Sequence, residues 1–428
     1  DGIICGVGSY SGENEQDVSG KYIMPGFIDS HVHIESSMTQ PSEYAKAVMP
    51  HGITTVIADP HEITNVCGED GLEFMLKSAK NIPLDVNLML PSCVPATPFE
   101  HTGANLDAKT TQKLASKFFG IGEMMNYPGI VSGDDETLGK LCLDIIDGHA
   151  PLLSGHELDA YASAGIKTDH ECSVIEEMAE KISKGMYILL REGTLSLDVA
   201  KLIKGVTPYT LRRCAFCTDD RFVGEIIRDG SIDHCIRKAV SLGLSNIDAI
   251  IMATLNACEI YGMKNKGAIA PSYVADIVVA DDLNLSSISQ VYKNGKLVCE
   301  NGKALFECET VDNSKVTNTV HLPKISADFF KTDVKDKFDA IELIPESIIT
   351  KKVTVSYSDS LSKVCVIERH HNLGTKGIGF VTNYGITNGA IATSIGHDSH
   401  NVIVIGDNDS DMALAVNTLG TSGGIAVC

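Results

Sequence analysis

The sequence predicts an α/β chain: a (β/α)8 TIM barrel with a flanking small β-sandwich and an additional C-terminal β-rich (α+β) domain. Three observations carry this. A short apolar strand followed by a helical stretch recurs eight times between about Phe27 and Met263. Those strands run out into polar or charged residues, at the end where such barrels carry their chemistry. Alternating, turn-rich segments stand on both sides of the repeat.

In chain order the strands are "GFIDSHVH", "ITTVIADP", "LDVNLMLP", "FFGIGEMM", "DIIDGHA", "GIKTDHE", "MYILLRE" and "RRCAFCTDD". Helical stretches between them include "PSEYAKAVMPHG", "EDGLEFMLKSAKN", "AKTTQKLASKF", "ELDAYASAG", "SVIEEMAEKISKG" and "LSLDVAKLIKG". Several end at Gly or Asn, as helix C-termini prefer. No GxGxxG follows the first strand, which argues against a doubly wound dinucleotide-binding sheet.

The flanks read differently. After the barrel, "ADIVVADD", "SQVYKNGKLV" and "CENGKALFE" alternate and turn at Asn294-Gly295 and Asn301-Gly302. Similar short strands open the chain, so residues 1–25 and 266–310 are expected to form one β-sandwich around a barrel at 26–265. Residues 311–428 form the third domain, with a charged, weakly patterned approach and β-rich sequence from about Ser347. The opening "DGIICGVGSY" and the closing "GGIAVC" read as cuts through structured sequence, so both the sandwich and the last domain are expected to be truncated.

Composition removes several classes. A net charge of −21 disfavours nucleic acid or anionic membrane as a partner. No apolar run is long enough for a membrane span, and no leader-like segment opens the chain. Thirteen scattered cysteines read as reduced cytoplasmic thiols. The Cys214–Cys217 CxxC lies in a strand, where i and i+3 point to opposite faces, so both read as packing residues.

The strand ends suggest a metal site. His31 and His33, two apart on strand 1, share one face. With Asp219 from strand 8, the neighbour of strand 1 in a closed barrel, they would hold one cation. His149 on strand 5 and His170 on strand 6 would hold a second, and Glu123 on strand 4 could bridge the two around a hydroxide.

With those residues in place, the chain resembles the amidohydrolase superfamily and, within it, the adenine deaminase family. "PGFIDSHVHIESSM", "HGITTVIADPHEITNVCG", "FFGIGEMMNYPG", "DGHAPLLSG", "AGIKTDHE", "CTDDR" and "GHDSHNVIVIGDNDSDM" carry the resemblance over essentially the whole chain. It implies a binuclear Mn2+ or Fe2+ site, with Zn2+ possible, and a glutamate bridge where many relatives use a carboxylated lysine. It also implies adenine and water as substrates, purine salvage in the cytoplasm, and a homodimer. The mechanism expected is attack of the bridging hydroxide on C6, with Asp219 accepting its proton and delivering it to the leaving amine. Glu62 is the candidate proton donor to the ring, supported by Asp59; the bland reading is an acid pair at a helix N-terminus.

Arg191 and Glu192 would orient the base or pair with each other. Arg369, His370, His397, Asp398 and His400 are candidates for reaching the substrate, against a reading as surface-loop residues. "GDNDSDM" resembles part of a phosphatase motif but lacks the nucleophilic aspartate segment ahead of it. The competing enzyme class is a cyclic-amide hydrolase of the dihydroorotase or hydantoinase kind, which barrel and metals alone would permit.

Overall fold

The computed structural model describes residues 2–333, 336–345, 349–356 and 361–428. Ser347, near which the β-rich part of the third domain is expected to begin, lies outside them. The chain forms two compact units: Asp1–His61, Met75–Cys93 and Asp107–Val311 make the first, and Glu62–Phe74, Val94–Leu106 and Asp312–Cys428 the second.

In the first unit the eight barrel strands are β1 (Phe27–Val32), β2 (Ile53–Ala58), β3 (Asp85–Leu90), β4 (Gly120–Met124), β5 (Ile146–Gly148), β6 (Thr168–Asp169), β7 (Tyr187–Arg191) and β8 (Cys214–Cys217). β1 to β5 pair in parallel in sequence order, as do β6 to β8. A backbone bond from Lys167 to Ile146 joins β5 to β6. A parallel bridge between Val32 and Asp219 joins the end of β8 back to β1 and closes the barrel. Parallel strands covered on both faces need apolar residues throughout, and every residue of β1 and β2 is buried. Ile28, Leu189, Ala215 and Cys217 pack in one cluster with Ala257 and Cys258 of the helix Leu255–Ile260. Cys214 and Cys217 are both buried free thiols, and burial pushes Cys214 up to about 12.

The flanks of the barrel meet in one antiparallel five-stranded sheet, Tyr22–Pro25, Ile277–Ala280, Ile288–Lys293, Lys296–Glu300 and Lys303–Ala304. Its turns place Asn294 and Gly295 at φ 50° and 73°, and Asn301 and Gly302 at 49° and 75°, the left-handed pairs that tight hairpins need. The opening segment adds a single bridge, Ile3 to Val274. Lys293 bonds Asp85 of β3 and Asp276, each at 2.7 Å, so buried charge ties this sheet to the barrel.

The second unit holds a seven-stranded sheet in the order Thr350–Val355, Phe338–Leu343, Lys376–Thr382, Ser362–Ile367, Val402–Gly406, Ala390–Thr393, Ile425–Val427. Among the described residues, only the pair Phe338–Leu343 with Lys376–Thr382 is parallel. The helix Asp409–Leu419 buries Met412, Ala415, Val416 and Leu419 against Cys365, Ile367, Val402 and Val404. Asn408 caps it, accepting from Asp411 N at 2.9 Å, so "GDNDSDM" is a strand end and a helix start.

The helix His61–Ser78 begins eight residues before the stretch "EDGLEFMLKSAKN" and breaks at Gly68, φ 56° and ψ −135°. Its segment 62–74 and the loop 94–106 belong to the second unit. There Gly103 N donates to Asn65 O at 2.7 Å, and Lys315 pairs with Asp70. Among the described residues, no helix is long and apolar enough to cross a membrane.

Candidate active site

The site grows from the C-terminal rim of the barrel. His31 and His33 leave β1 on one face; their Nε2 atoms stand 3.1 Å apart. His33 Nδ1 is fixed by Asp59 O at 2.8 Å. Asp219 N donates to His31 O and His33 N to Asp219 O, which stitches the end of β8 to the strand that carries both histidines. That stitch holds Asp219 at φ 56°, a left-handed conformation that costs a non-glycine residue about 1–3 kcal/mol and persists only where the surroundings fix it.

Glu123, at the end of β4, is the centre of the cluster. Its Oε2 lies 2.8 Å from His149 Nδ1 and 3.0 Å from His170 Nε2. Its Oε1 lies 3.1 Å from His61 Nδ1 and 3.6 Å from His33 Nε2. Asp219 Oδ1 lies 3.1 Å from His33 Nε2 and 3.5 Å from His31 Nε2. Among the described residues several triads have converging donor atoms, including His31, His33 and Glu123; Glu123, His149 and His170; His31, His170 and Asp219; and His61, Cys93 and Glu123. All six residues proposed as ligands from the sequence lie in this cluster.

The buried carboxylates and imidazoles of the cluster stabilise each other's charge. Burial raises the Glu123 carboxyl, but His149 first, then His170 and His61, hold it well below the usual range. Asp219 is likewise raised by burial and held well below by His31, His33 and Arg191. Burial lowers His149, yet Glu123 pulls it up to about 9. Ionised carboxylates facing buried imidazoles, with two ring nitrogens aimed at one another, form a donor set that fits divalent transition cations.

Asp59 is fully buried, and its Oδ2 accepts from Glu123 N at 2.9 Å. A Cβ at Gly122 would fall 2.1 Å from that oxygen, so glycine is required beside Glu123. Arg191 lies at the rim: Nη1 donates to Asp219 Oδ2 at 3.0 Å and also contacts Glu171, while Nε donates to Asp198 at 3.1 Å. Glu192 turns the other way, pairing with Lys238 on the outer helix Ile232–Ser241.

In the second unit, Glu62 contacts His397 through one carboxylate oxygen and His400 through the other. His370 bonds Ser399 O at 2.8 Å and is lowered by burial to about 4. Arg369 is buried, and its carbonyl accepts from His321 N. Asp398 acts on Glu100, whose carboxyl is raised first by burial and then by that like charge.

Sequence reasoning missed a layer of acids beneath the rim. Asp29 accepts from Thr218 N at 3.0 Å and Thr218 Oγ1 at 2.5 Å, fixing the residue before Asp219. Asp147 faces His31 Nδ1 at 3.7 Å and accepts from Thr168 and Tyr261. Asp29 and Asp147 each stand two residues before a histidine on the same strand, and that spacing was the available signal.

Lys181 was also missed. It is fully buried and donates to Ala150 O and Glu177 at 2.7 Å each, with Asp169 at 3.1 Å. Asp169 also accepts from Ala150 N, so this cage joins the residues next to His149 and His170. Lys181→Met is expected to lower the unfolding free energy by about 3–5 kcal/mol, because it leaves buried carboxylates uncompensated. Urea denaturation measures it, and a loss below about 1 kcal/mol would contradict the cage.

Residues 22–298 match the model of the Amidohydrolase family, and residues 343–428 that of the Adenine deaminase C-terminal domain. The chain belongs to the amidohydrolase family. A β-aspartyl dipeptidase from Fervidobacterium islandicum shares the fold, with a TM-score of 0.51 and 18% identity over 73% of this chain and 92% of that one. Within the family the chain is 49% identical to the adenine deaminase of Clostridium acetobutylicum, over 98% of this chain and 77% of that protein. It is 45% identical to adenine deaminase 2 of Desulfotalea psychrophila, over 100% and 78%.

Proposed function

We propose that this chain is a hydrolase that deaminates adenine: water adds at C6, and hypoxanthine and ammonia are the products. One observation carries the reading, the 49% identity to an adenine deaminase across 98% of the chain. The buried donor set at the barrel rim supports it.

His31, His33 and Asp219 would hold one divalent cation and His149 and His170 a second, with Glu123 shared. When bound, these cations supply Lewis acidity and make water a nucleophile at neutral pH. Asp219 takes the proton of the attacking water and passes it to the leaving amine. Arg191 holds Asp219 Oδ2, which leaves Oδ1 directed at the histidines. Glu62 donates a proton to a ring nitrogen as charge builds on the purine and is reprotonated by the proton that the added hydroxyl gives up as ammonia leaves. Asp59 fixes the backbone of Glu123. Manganese or iron(II) is the expected metal, purine salvage the setting, the cytoplasm the compartment and a homodimer the assembly.

The test is purification with manganese or iron(II), metal analysis, and ammonia release from adenine beside dihydroorotate and adenosine. Turnover of adenine alone is expected, with about two cations per chain. Turnover of dihydroorotate in place of adenine would overturn the substrate, and a metal-free folded protein would overturn the site.

A further inference from the structure

We propose that His397 and His400 are positioning residues for Glu62, gripping its carboxyl from both sides so that it is held in one orientation. This rests on the reading of Glu62 as the proton donor. Each carboxylate oxygen has an imidazole against it: His397 Nδ1 meets Oε1 and His400 Nε2 meets Oε2. Glu62 is buried, 2% exposed, and a buried carboxyl needs hydrogen-bond partners on both oxygens. Held at both, it cannot rotate about its last bond, and general-acid catalysis demands that geometry before anything else.

The loop bearing the two histidines is built for a fixed position. It joins the strands Ala390–Thr393 and Val402–Gly406. His400 sits at φ 53°, a left-handed conformation that few non-glycine residues adopt, and its N–H donates to Gly396 O at 2.7 Å. Asn401 Nδ2 donates to His101 O at 2.7 Å, and Ser399 O is bonded by His370 at 2.8 Å. His370 and Asn401 therefore hold the loop on either side of His400, and the loop aims both rings at one carboxyl.

The geometry specifies its own conservative replacements. Asparagine places its amide nitrogen near the position of a histidine Nδ1, and glutamine near that of Nε2. The variant pair His397→Ala with His400→Ala is expected to lower kcat about 100-fold, at the low end of what general acid catalysis supplies. KM and the metal content should stay at the parent values. His397→Asn with His400→Gln should recover most of kcat, because each amide donates where a ring nitrogen did.

The crossed pair, His397→Gln with His400→Asn, keeps polarity and volume but misplaces both donors. It should behave like the alanine pair, and it tests the clamp if the alanine pair does not fold. Full kcat in the alanine or the crossed pair overturns the proposal, as does a loss confined to KM. A metal content that falls by one cation per chain in the alanine pair also overturns it, and makes the cluster a His2Glu metal site. Glu62→Gln measured in parallel separates the two readings. If Glu62→Gln is fully active, the assignment of the proton donor fails; if only the histidine pairs are active, the clamp fails.

Discussion

Asp219→Asn is expected to lower kcat by about 10³-fold, within the range that general acid–base catalysis contributes. The substitution is close to isosteric, and asparagine tolerates the left-handed backbone that Asp219 adopts at φ 56°. The stitch of Asp219 N and O to β1 uses backbone atoms and survives. What is lost is the anion: an amide cannot take the proton of water and return it to an amine. The charge that Arg191 faces across 3.0 Å is lost as well, so the guanidinium keeps only Glu171 and Asp198. Metal analysis beside the rate assay separates the two roles of Asp219. A variant that keeps both cations and loses kcat assigns the proton transfer to Asp219, and one that keeps both cations with kcat reduced less than about tenfold overturns it.

The eight strands and their polar ends were legible because each apolar run is short and stops at a residue that a core would exclude. The rim could be read for the same reason, since His31, His33, Glu123, His149, His170 and Asp219 stand in or just beyond the last residues of their strands. The layer below was not read. Asp29 and Asp147 lie inside strands whose neighbours are apolar, and nothing in one sequence says which carboxylates on a strand meet across the barrel. Lys181 looks like the ordinary i, i+4 partner of Glu177 on a surface helix. Its ammonium is instead fully buried between two strand ends.

The second unit was legible as strands and little more. Its sheet order depends on long-range pairing, including one parallel pair inside an antiparallel sheet, and periodicity carries no register. The grip of His397 and His400 on Glu62 joins residues more than 300 positions apart. The spacing of two histidines around Asp398 marked that loop as chemically interesting without saying what it meets. Glu192 shows the limit from the other side. It follows Arg191 directly, and the alternation of an extended chain sends it to Lys238 while Arg191 faces Asp219.

Glu123→Gln is expected to remove metal and activity together, with bound cation falling from about two per chain to below one. Glu123 belongs to both the His31–His33 and the His149–His170 triads. Its two oxygens face different partners, Oε1 toward His61 and His33, Oε2 toward His149 and His170. Glutamine keeps the length and one acceptor oxygen, but it offers no charge and turns an NH2 group toward one of the two sides. An amide nitrogen does not ligate a divalent cation in water, and two cations held by these neighbouring residues would repel each other more once the charge of Glu123 is gone. Both positions should therefore empty, and the folded variant should stay inactive even in excess manganese. Glu123→Asp keeps the charge and shortens the reach by one methylene, so it should retain one cation better than two. A glutamine variant that still binds both cations would show that the histidines and Asp219 suffice, and the shared role of Glu123 would fall.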